Sequence, residues 1–368
     1  SPDGRRLAVA FRATDAERTE QADSQREATG GSTPPWVIET LWYREDGDGY
    51  FGDARFQLYV VDVEQGRHRR VFGRDATGGF DFGWSPDSSE LVVAANVHRD
   101  AVLKPWRMDL FRVDIATGRA RRIPGLPQGH KASVRWSPDG SWIAWAGRIG
   151  QETWGCDNTR LFVCRPDGGE VVDLTGHTDY CLSAVTLSDS AEASFDSTLE
   201  FSPDSRRIWL NFGWHGETQV ASIAVRGGEV VFHTSGRQGL SLGNLSRDGR
   251  RLGLTVADET RLPEAAVGEL ASGPRTGPVS VRRLSDLNGP LLASKELSVP
   301  EAHWLPTAEG RRVQCWVMKP PGFRAGRRYP AVLEIHGGPH CLYGTVFFHE
   351  FQVLAAAGYV VVYSNPRG

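Results

Sequence analysis

Trp136-Ser137-Pro138-Asp139-Gly140, followed by Trp142-Ile143-Ala144-Trp145-Ala146, is the stretch whose reading decides the architecture of this chain of 368 residues. Its Ser-Pro-Asp core suits a type I turn. Ser accepts hydrogen bonds locally, Pro presets φ at the second position, Asp favours the third, and a small residue closes. The same turn recurs as Ser1-Pro2-Asp3-Gly4, Ser85-Pro86-Asp87-Ser88 and Ser202-Pro203-Asp204-Ser205, with a weaker copy at Ser246-Arg247-Asp248-Gly249. A large apolar residue precedes each internal copy: Trp84, Trp136, Phe201, Leu245. A β-rich run follows each one: Leu7–Phe11, Leu91–Ala95, Trp142–Ala146, Ile208–Phe212 and Leu252–Val256.

Working outward, most units continue into a second hairpin. Leu58-Tyr59-Val60-Val61-Asp62 leads to Gly66, Leu110-Phe111-Arg112-Val113-Asp114 to Gly118, Leu161–Cys164 to Gly168-Gly169, and Val220–Val225 to Gly227-Gly228. One unit therefore reads strand, Ser-Pro-Asp turn, strand, loop, strand, Gly turn, strand. Four antiparallel strands repeated in this way describe a β-propeller blade. Five such units are legible. Blade repeats run to about 40–50 residues, so the wider gaps imply insertions. The polar stretch Thr14–Pro35 reads as a long loop or lid, and Ser188–Ser197 as a second polar insertion. An open β-solenoid or sandwich is the rival architecture. The chain starts at a turn, without the strand that should precede it, and the expectation is that upstream residues are missing. The repeat residues themselves, with Trp84, Trp136, Trp142 and Trp145, read as scaffold and core.

Composition sets broad limits. Hydrophobic residues make up 40% and charged residues 24%, with a net charge of −3. That is an ordinary globular profile, long enough for two domains, and not that of a nucleic-acid binder. No apolar run approaches the roughly 20 residues of a membrane helix. The five cysteines, Cys156, Cys164, Cys181, Cys315 and Cys341, are odd in number and match no zinc spacing. They read as reduced core thiols, which favours a cytoplasmic setting.

The pattern changes after Asn288. Gly289-Pro290 marks a break, giving a propeller at 1–289 and a second domain at 290–368. Ala302–Pro306 and Val313–Met318 read as a hairpin turned at Glu309-Gly310. Tyr329–Ile335 is an apolar strand running into His336-Gly337-Gly338-Pro339-His340. A helical stretch over about Phe347–Ala357 stops at Gly358, and the buried strand Tyr359–Tyr363 ends in Asn365-Pro366-Arg367-Gly368. Strand, crossover helix and strand imply an α/β sheet. Acyl-transfer enzymes need N–H donors aimed at a developing oxyanion, and a His-Gly-Gly loop after a buried strand is one source of them. A mere tight turn is the plainer reading of Gly-Gly alone.

These residues resemble the prolyl oligopeptidase family of serine peptidases, its acylaminoacyl-peptidase-like branch above all. The likeness rests on Leu333–His340 with Asn365–Gly368, on Leu284–Asn288 through Lys319–Gly322, and on Pro35–Ile38 through Tyr43-Arg44 and Gly49-Tyr50 to Leu58–Asp62. The resemblance implies a seven-bladed propeller, about five blades of it here, capping an α/β-hydrolase of which only the N-terminal part is present. It implies hydrolysis of short peptides through an acyl-enzyme, of oligopeptidase, dipeptidyl- or acylaminoacyl-peptidase type. It further implies a Ser-Asp-His triad lying entirely after Gly368, so that this stretch alone would be inactive. Some relatives carry Tyr where His336 stands, with its hydroxyl as an oxyanion donor. Here the donors are expected to be the Gly337 or Gly338 amides, with His336 holding the loop.

The other candidates are weaker. Glu45-Asp46-Gly47-Asp48-Gly49 begins like a calcium loop but lacks the Gly at position six and the Glu at twelve, and reads as a solvated turn. His177, His215 and His233 read as surface or satisfied histidines in blade loops. Arg367 is a candidate for positioning the loop. No cofactor or metal is expected; the partners expected are short peptides, with no nucleic acid and no membrane, and a homo-oligomer stays open. A non-catalytic propeller interaction protein, a pseudoenzyme and an esterase on the same scaffold stay open.

Overall fold

A computed structural model describes residues 1–151, 157–183, 186–190, 197–270, 277–337 and 341–366. The chain divides into two compact units, Ser1–Glu152 with Cys164–Val171, and Thr153–Val163 with Val172–Gly368. Both are built mostly of β-strands.

The first unit opens with β1 (Arg6–Phe11) and a polar insertion. The insertion was expected to be a loop, yet it holds a helix, α1 (Glu20–Thr29). Thr19 caps its start by accepting from the Ala22 N–H, and Gly30 ends it in the left-handed conformation. None of its residues is buried, so no apolar stripe betrayed it. Two short strands, β2 (Arg44–Glu45) and β3 (Gly49–Tyr50), make a hairpin of the calcium-like segment, and Asp48 is paired with Arg12 at 2.6 Å. Next come β4 (Gln57–Asp62) and β5 (His68–Phe72), which complete a three-stranded antiparallel sheet in the order β1-β4-β5. A full four-stranded meander follows: β6 (Asp81–Trp84), β7 (Glu90–Ala95), β8 (Asp109–Asp114) and β9 (Ala120–Arg122) pair in chain order. Leu58, Val60, Leu91, Val93, Phe111 and Val113 interleave between these sheets as one apolar core. The unit also holds the antiparallel pair β10 (Lys131–Trp136) and β11 (Ile143–Gly147).

The second unit contains the antiparallel pair β12 (Arg160–Cys164) and β13 (Val172–Asp173). It then forms two meanders of four strands. The first is β14 (Leu199–Phe201), β15 (Arg207–Trp214), β16 (Glu217–Ala224) and β17 (Val231–Phe232). The second is β18 (Gly239–Leu245), β19 (Arg251–Asp258), β20 (Arg261–Leu270) and β21 (Val279–Arg283). A parallel contact at Thr218 and Gly239 joins them. After a short helix, α2 (Gly289–Leu292), the topology changes. Strands β22 (Glu301–Pro306), β23 (Arg312–Met318), β24 (Ala331–Glu334) and β25 (Val360–Ser364) form a sheet in the order β22-β23-β25-β24. The β24–β25 pair is parallel and is connected through α3 (His349–Ala356). Trp316, Met318, Tyr343, Phe351, Ala355, Val361 and Tyr363 pack between helix and sheet.

The five turns share one hydrogen-bond set. In each, Ser Oγ donates to the Asp two residues on at 2.6 Å and accepts from the N–H five residues on at 2.9–3.0 Å. The fourth residue donates its N–H to the Ser carbonyl, as a type I turn requires. That fourth residue lies in the left-handed region every time, at φ 71° in Gly4, 61° in Ser88, 71° in Gly140, 59° in Ser205 and 66° in Gly249. Small size is not the whole requirement there, because a positive φ is what turns the chain into the next strand.

Of the tryptophans expected in the core, Trp142 and Trp145 are buried and Trp84 and Trp136 half-buried. Cys164 and Cys315 are buried and Cys181 and Cys341 half-buried, all four as free thiols, while Cys156 lies outside the described residues. Among the described residues no helix is long and apolar enough to cross a membrane.

Candidate active-site loop

Because β24 and β25 run parallel, with Glu334 opposite Tyr363, the chain leaves both strands on the same edge of the sheet. His336 and Gly337 follow β24 there, and Asn365 follows β25. That carboxyl-end edge is where open α/β sheets place their ligands.

His336 is half-buried. Its Nδ1 lies 3.1 Å from the Gly337 carbonyl, and its ring meets the Tyr343 ring edge-on at 5.0 Å. Its Nε2 is buried without a hydrogen-bond partner among the described residues. The Gly337 backbone is exposed, with no described residue within 4 Å of the place a Cβ would occupy. Gly338, Pro339 and His340 lie outside the described residues, as does Arg367. The Gly338 amide and the candidate positioning arginine are therefore not placed.

The returning half of the loop is fastened on three sides. Asn365 Oδ1 accepts from the Tyr343 N–H at 2.7 Å, and Asn365 Nδ2 donates to the Tyr343 carbonyl at 2.8 Å. Thr186 forms a parallel bridge with Leu342, and the Leu187 N–H donates to the Leu342 carbonyl at 2.7 Å. The Thr345 N–H donates to the Gly216 carbonyl at 2.7 Å. At this last contact any Cβ on Gly344 would collide with the Gly216 carbonyl, so only glycine lets the two backbones meet. Gly216 is itself at φ 75°, with the Trp316 ring where its Cβ would point.

The Tyr343 ring is buried, and its hydroxyl is pushed up to about 12, by burial first and then by Glu334 and Glu350. It stays protonated at any physiological pH. Burial, reinforced by Glu350, also raises the Glu334 carboxyl. Helix α3 then starts after Phe348, whose side chain makes no capping bond. Gln352, buried one turn on, donates to the Ser298 and Glu259 carbonyls and accepts from the Ser298 N–H.

The comparisons bear on this arrangement. No family model matches the chain. A Bacillus subtilis protein described as an uncharacterized peptidase, YuxL, is 29% identical over 369 residues, covering 100% of this chain and 54% of its own length. Dipeptidyl-peptidase 5 of Porphyromonas gingivalis is 24% identical over 312 residues, covering 83% of this chain and 42% of its own. Among solved structures, Pyrococcus horikoshii acylaminoacyl peptidase superposes with a TM-score of 0.72 at 18% identity, over 99% of this chain and 50% of that one. In sequence and fold the chain resembles the prolyl oligopeptidase-family serine peptidases. It spans about half the length of the relatives it matches.

One pattern in the sequence has to be set aside as a serine nucleophile. Gly239-Leu240-Ser241-Leu242-Gly243 satisfies Gly-x-Ser-x-Gly in letter. A nucleophile elbow is a sharp strand-to-helix turn, whereas these five residues lie inside β18, paired along its length with β19. Ser241 is a strand residue facing outward.

His233 is satisfied, as expected, but deep in the unit and not at its surface. Its Nε2 is 2.7 Å from Ser222 Oγ, its Nδ1 is 2.7 Å from the Gly277 carbonyl, and it stacks on Trp209. His215 and His177 are exposed. Among the described residues no three His, Cys, Asp or Glu side chains gather as a metal site. The residues that sequence reasoning missed are Tyr343, the Gly216–Gly344 contact and the Ser188-Asp189 pair. Only Asn365 lay inside a recognised motif.

Proposed function

We propose that the protein carrying this chain is a serine peptidase that hydrolyses short peptides through an acyl-enzyme. In this reading residues 1–289 are blades of a β-propeller that restricts access. Residues 290–368 open an α/β-hydrolase domain. The Gly337 or Gly338 amide donates to the oxyanion of the tetrahedral intermediate, and His336 holds the loop. The observation that carries the reading is the parallel β24–α3–β25 unit, with His336 and Gly337 leaving β24 on the edge where Asn365 leaves β25. An exposed glycine backbone with no described side chain against it suits the approach of a substrate carbonyl. The peptidase names of the relatives support the same class.

The Ser-Asp-His triad of this proposal is supplied by the whole protein. The test uses the full-length gene product with a fluorophosphonate probe and three chromogenic sets. These are peptides with a free N-terminus, peptides with an acylated N-terminus, and short acyl esters. Labelling together with peptide turnover is the expected result, and the preferred N-terminus then identifies the peptidase type. Ester turnover without peptide turnover makes the protein an esterase. No labelling and no turnover make it a pseudoenzyme or a propeller-based interaction protein.

A further inference from the structure

Helix α3 comes directly after the candidate oxyanion loop, and its own sequence supplies no cap. Phe348 occupies the N-cap position, where Ser, Thr, Asp or Asn would normally satisfy the first free amides. The cap comes from 160 residues earlier in the chain. Asp189 Oδ1 accepts from the His349 N–H at 2.7 Å, and Asp189 Oδ2 accepts from the Glu350 N–H at 2.7 Å. Next to it, Ser188 Oγ donates to the Phe347 carbonyl at 3.0 Å. Thr186 and Leu187 bond to Leu342, as described above. The segment 186–190 thus lies along 342–350 by a bridge, a side-chain clasp and a bidentate carboxylate. A carboxylate at this end of a helix is also favoured by the helix dipole.

The geometry points to Asp189 as a positioning residue for the oxyanion loop, acting through the start of α3. The inference rests on the reading of that loop given under the proposed function. The reasoning is mechanical. Gly337 leaves β24 and the chain is described again from 341 up to α3, so the placement of the Gly337 amide depends on how both flanks are held. β24 fixes one end. The other end, 342–350, is held by Asn365, by Gly216 and by the 186–190 segment. Asp189 is the only one of these contacts that carries charge. An oxyanion donor acts only when fixed where the charge develops, and small displacements are costly.

The experiment uses the full-length protein and compares wild type, Asp189→Ala and Asp189→Asn. Asn keeps one acceptor for the helix amides. Peptide turnover is measured together with hydrogen exchange of the amides in 342–350. The expected result for Asp189→Ala is a fall in kcat of about tenfold or more with KM within about twofold, together with faster exchange at His349 and Glu350. Asp189→Asn should recover kcat to within about threefold of wild type. Three results overturn the inference. They are an unchanged kcat despite faster exchange, a loss confined to KM, and a kcat loss with exchange unchanged. A wild type that turns over no peptide but keeps these amides protected overturns the function and the positioning role together, leaving the cap as a structural contact. A folded Asp189→Asn, judged by its near-ultraviolet circular dichroism, keeps the comparison valid should the Ala variant fail to fold.

Discussion

The Asn365 side-chain amide is bound both ways to the backbone of Tyr343, accepting from its N–H at 2.7 Å and donating to its carbonyl at 2.8 Å. One amide thus pins the returning half of the loop to the end of β25. Replacing Asn365 with Ala leaves two backbone groups of a buried residue unpaired, at a cost of about 1–3 kcal/mol. Asn365→Asp keeps the acceptor and sets a second oxygen against the Tyr343 carbonyl. It is expected to be as destabilising at neutral pH and milder in acid, where the carboxyl can donate. Urea unfolding midpoints at pH 7 and pH 4.5 check both statements. A midpoint unmoved by either substitution refutes the pinning.

The repeated turns make a graded prediction. Ser137 Oγ serves both Asp139 and the Trp142 N–H, so Ser137→Ala should cost about 1 kcal/mol, in keeping with a typical net hydrogen bond. Gly140→Ala forces a Cβ into the left-handed region at φ 71°, for roughly 1–2 kcal/mol. Pro138→Ala acts chiefly by freeing the unfolded chain and should cost under about 1 kcal/mol. Thermal unfolding of the three variants should rank them in that sense, with Pro138→Ala the mildest.

Lys131 is buried, and its ammonium donates to the carbonyls of Met108 at 2.9 Å, Pro127 at 2.6 Å and Gly129 at 3.2 Å. Burial, with nearby Asp109 opposing, lowers its pKa from the usual 10.5 to about 8. Between pH 8 and 10.5 the unfolded chain therefore holds a proton that the folded protein has released. Stability contributed by this group rises with pH across that window, by at most on the order of 3 kcal/mol. The gap between wild type and Lys131→Met should widen in favour of wild type from pH 7.5 to pH 10. A constant gap in denaturant titrations contradicts the shift.

His233 makes a pH prediction of the same sign in an acid window. Burial lowers its pKa, with the Gly277 carbonyl opposing. The neutral ring donates from Nδ1 to Gly277 and accepts at Nε2 from Ser222, whose Oγ also accepts from Arg207 Nε at 2.9 Å. A proton on Nε2 would face a hydroxyl with its own proton displaced. The unfolded histidine takes up its proton near pH 6.5 and the folded one only lower, so stability is lost as pH falls through that range. His233→Gln should remove this part of the acid slope while lowering stability at pH 7. An acid slope identical in the variant counts against the neutral ring.

What the sequence disclosed followed from how far each interaction reaches along the chain. The Ser-Pro-Asp turns close within six residues, and β24, α3 and β25 each carry their own apolar pattern, so all were legible. Helix α1 carried its signals too, Thr19 at the start and Gly30 at the end. The stretch still reads as a loop, because a helix with no buried face shows no apolar period. The cap of α3 was beyond reach for a different reason. Phe348 is no capping residue, and Asp189 sits in an unrelated polar stretch, so nothing local to either one names the other. The Gly216–Gly344 approach was hidden in the same way, since each glycine alone reads as an ordinary turn. Lys131, a charged residue inside a strand, gave no sign of its carbonyl cradle.

The fifth turn has a consequence for descent. Arg247 stands where the other four copies have proline, yet Ser246 and Asp248 make the same two bonds as their counterparts. Serine and aspartate hold one another in place, and proline is left free to drift. The bonds that close the turn, from Ser Oγ to the Asp and from the N–H five residues on to Ser Oγ, lie within the copy itself, so a duplicated unit inherits its joint complete.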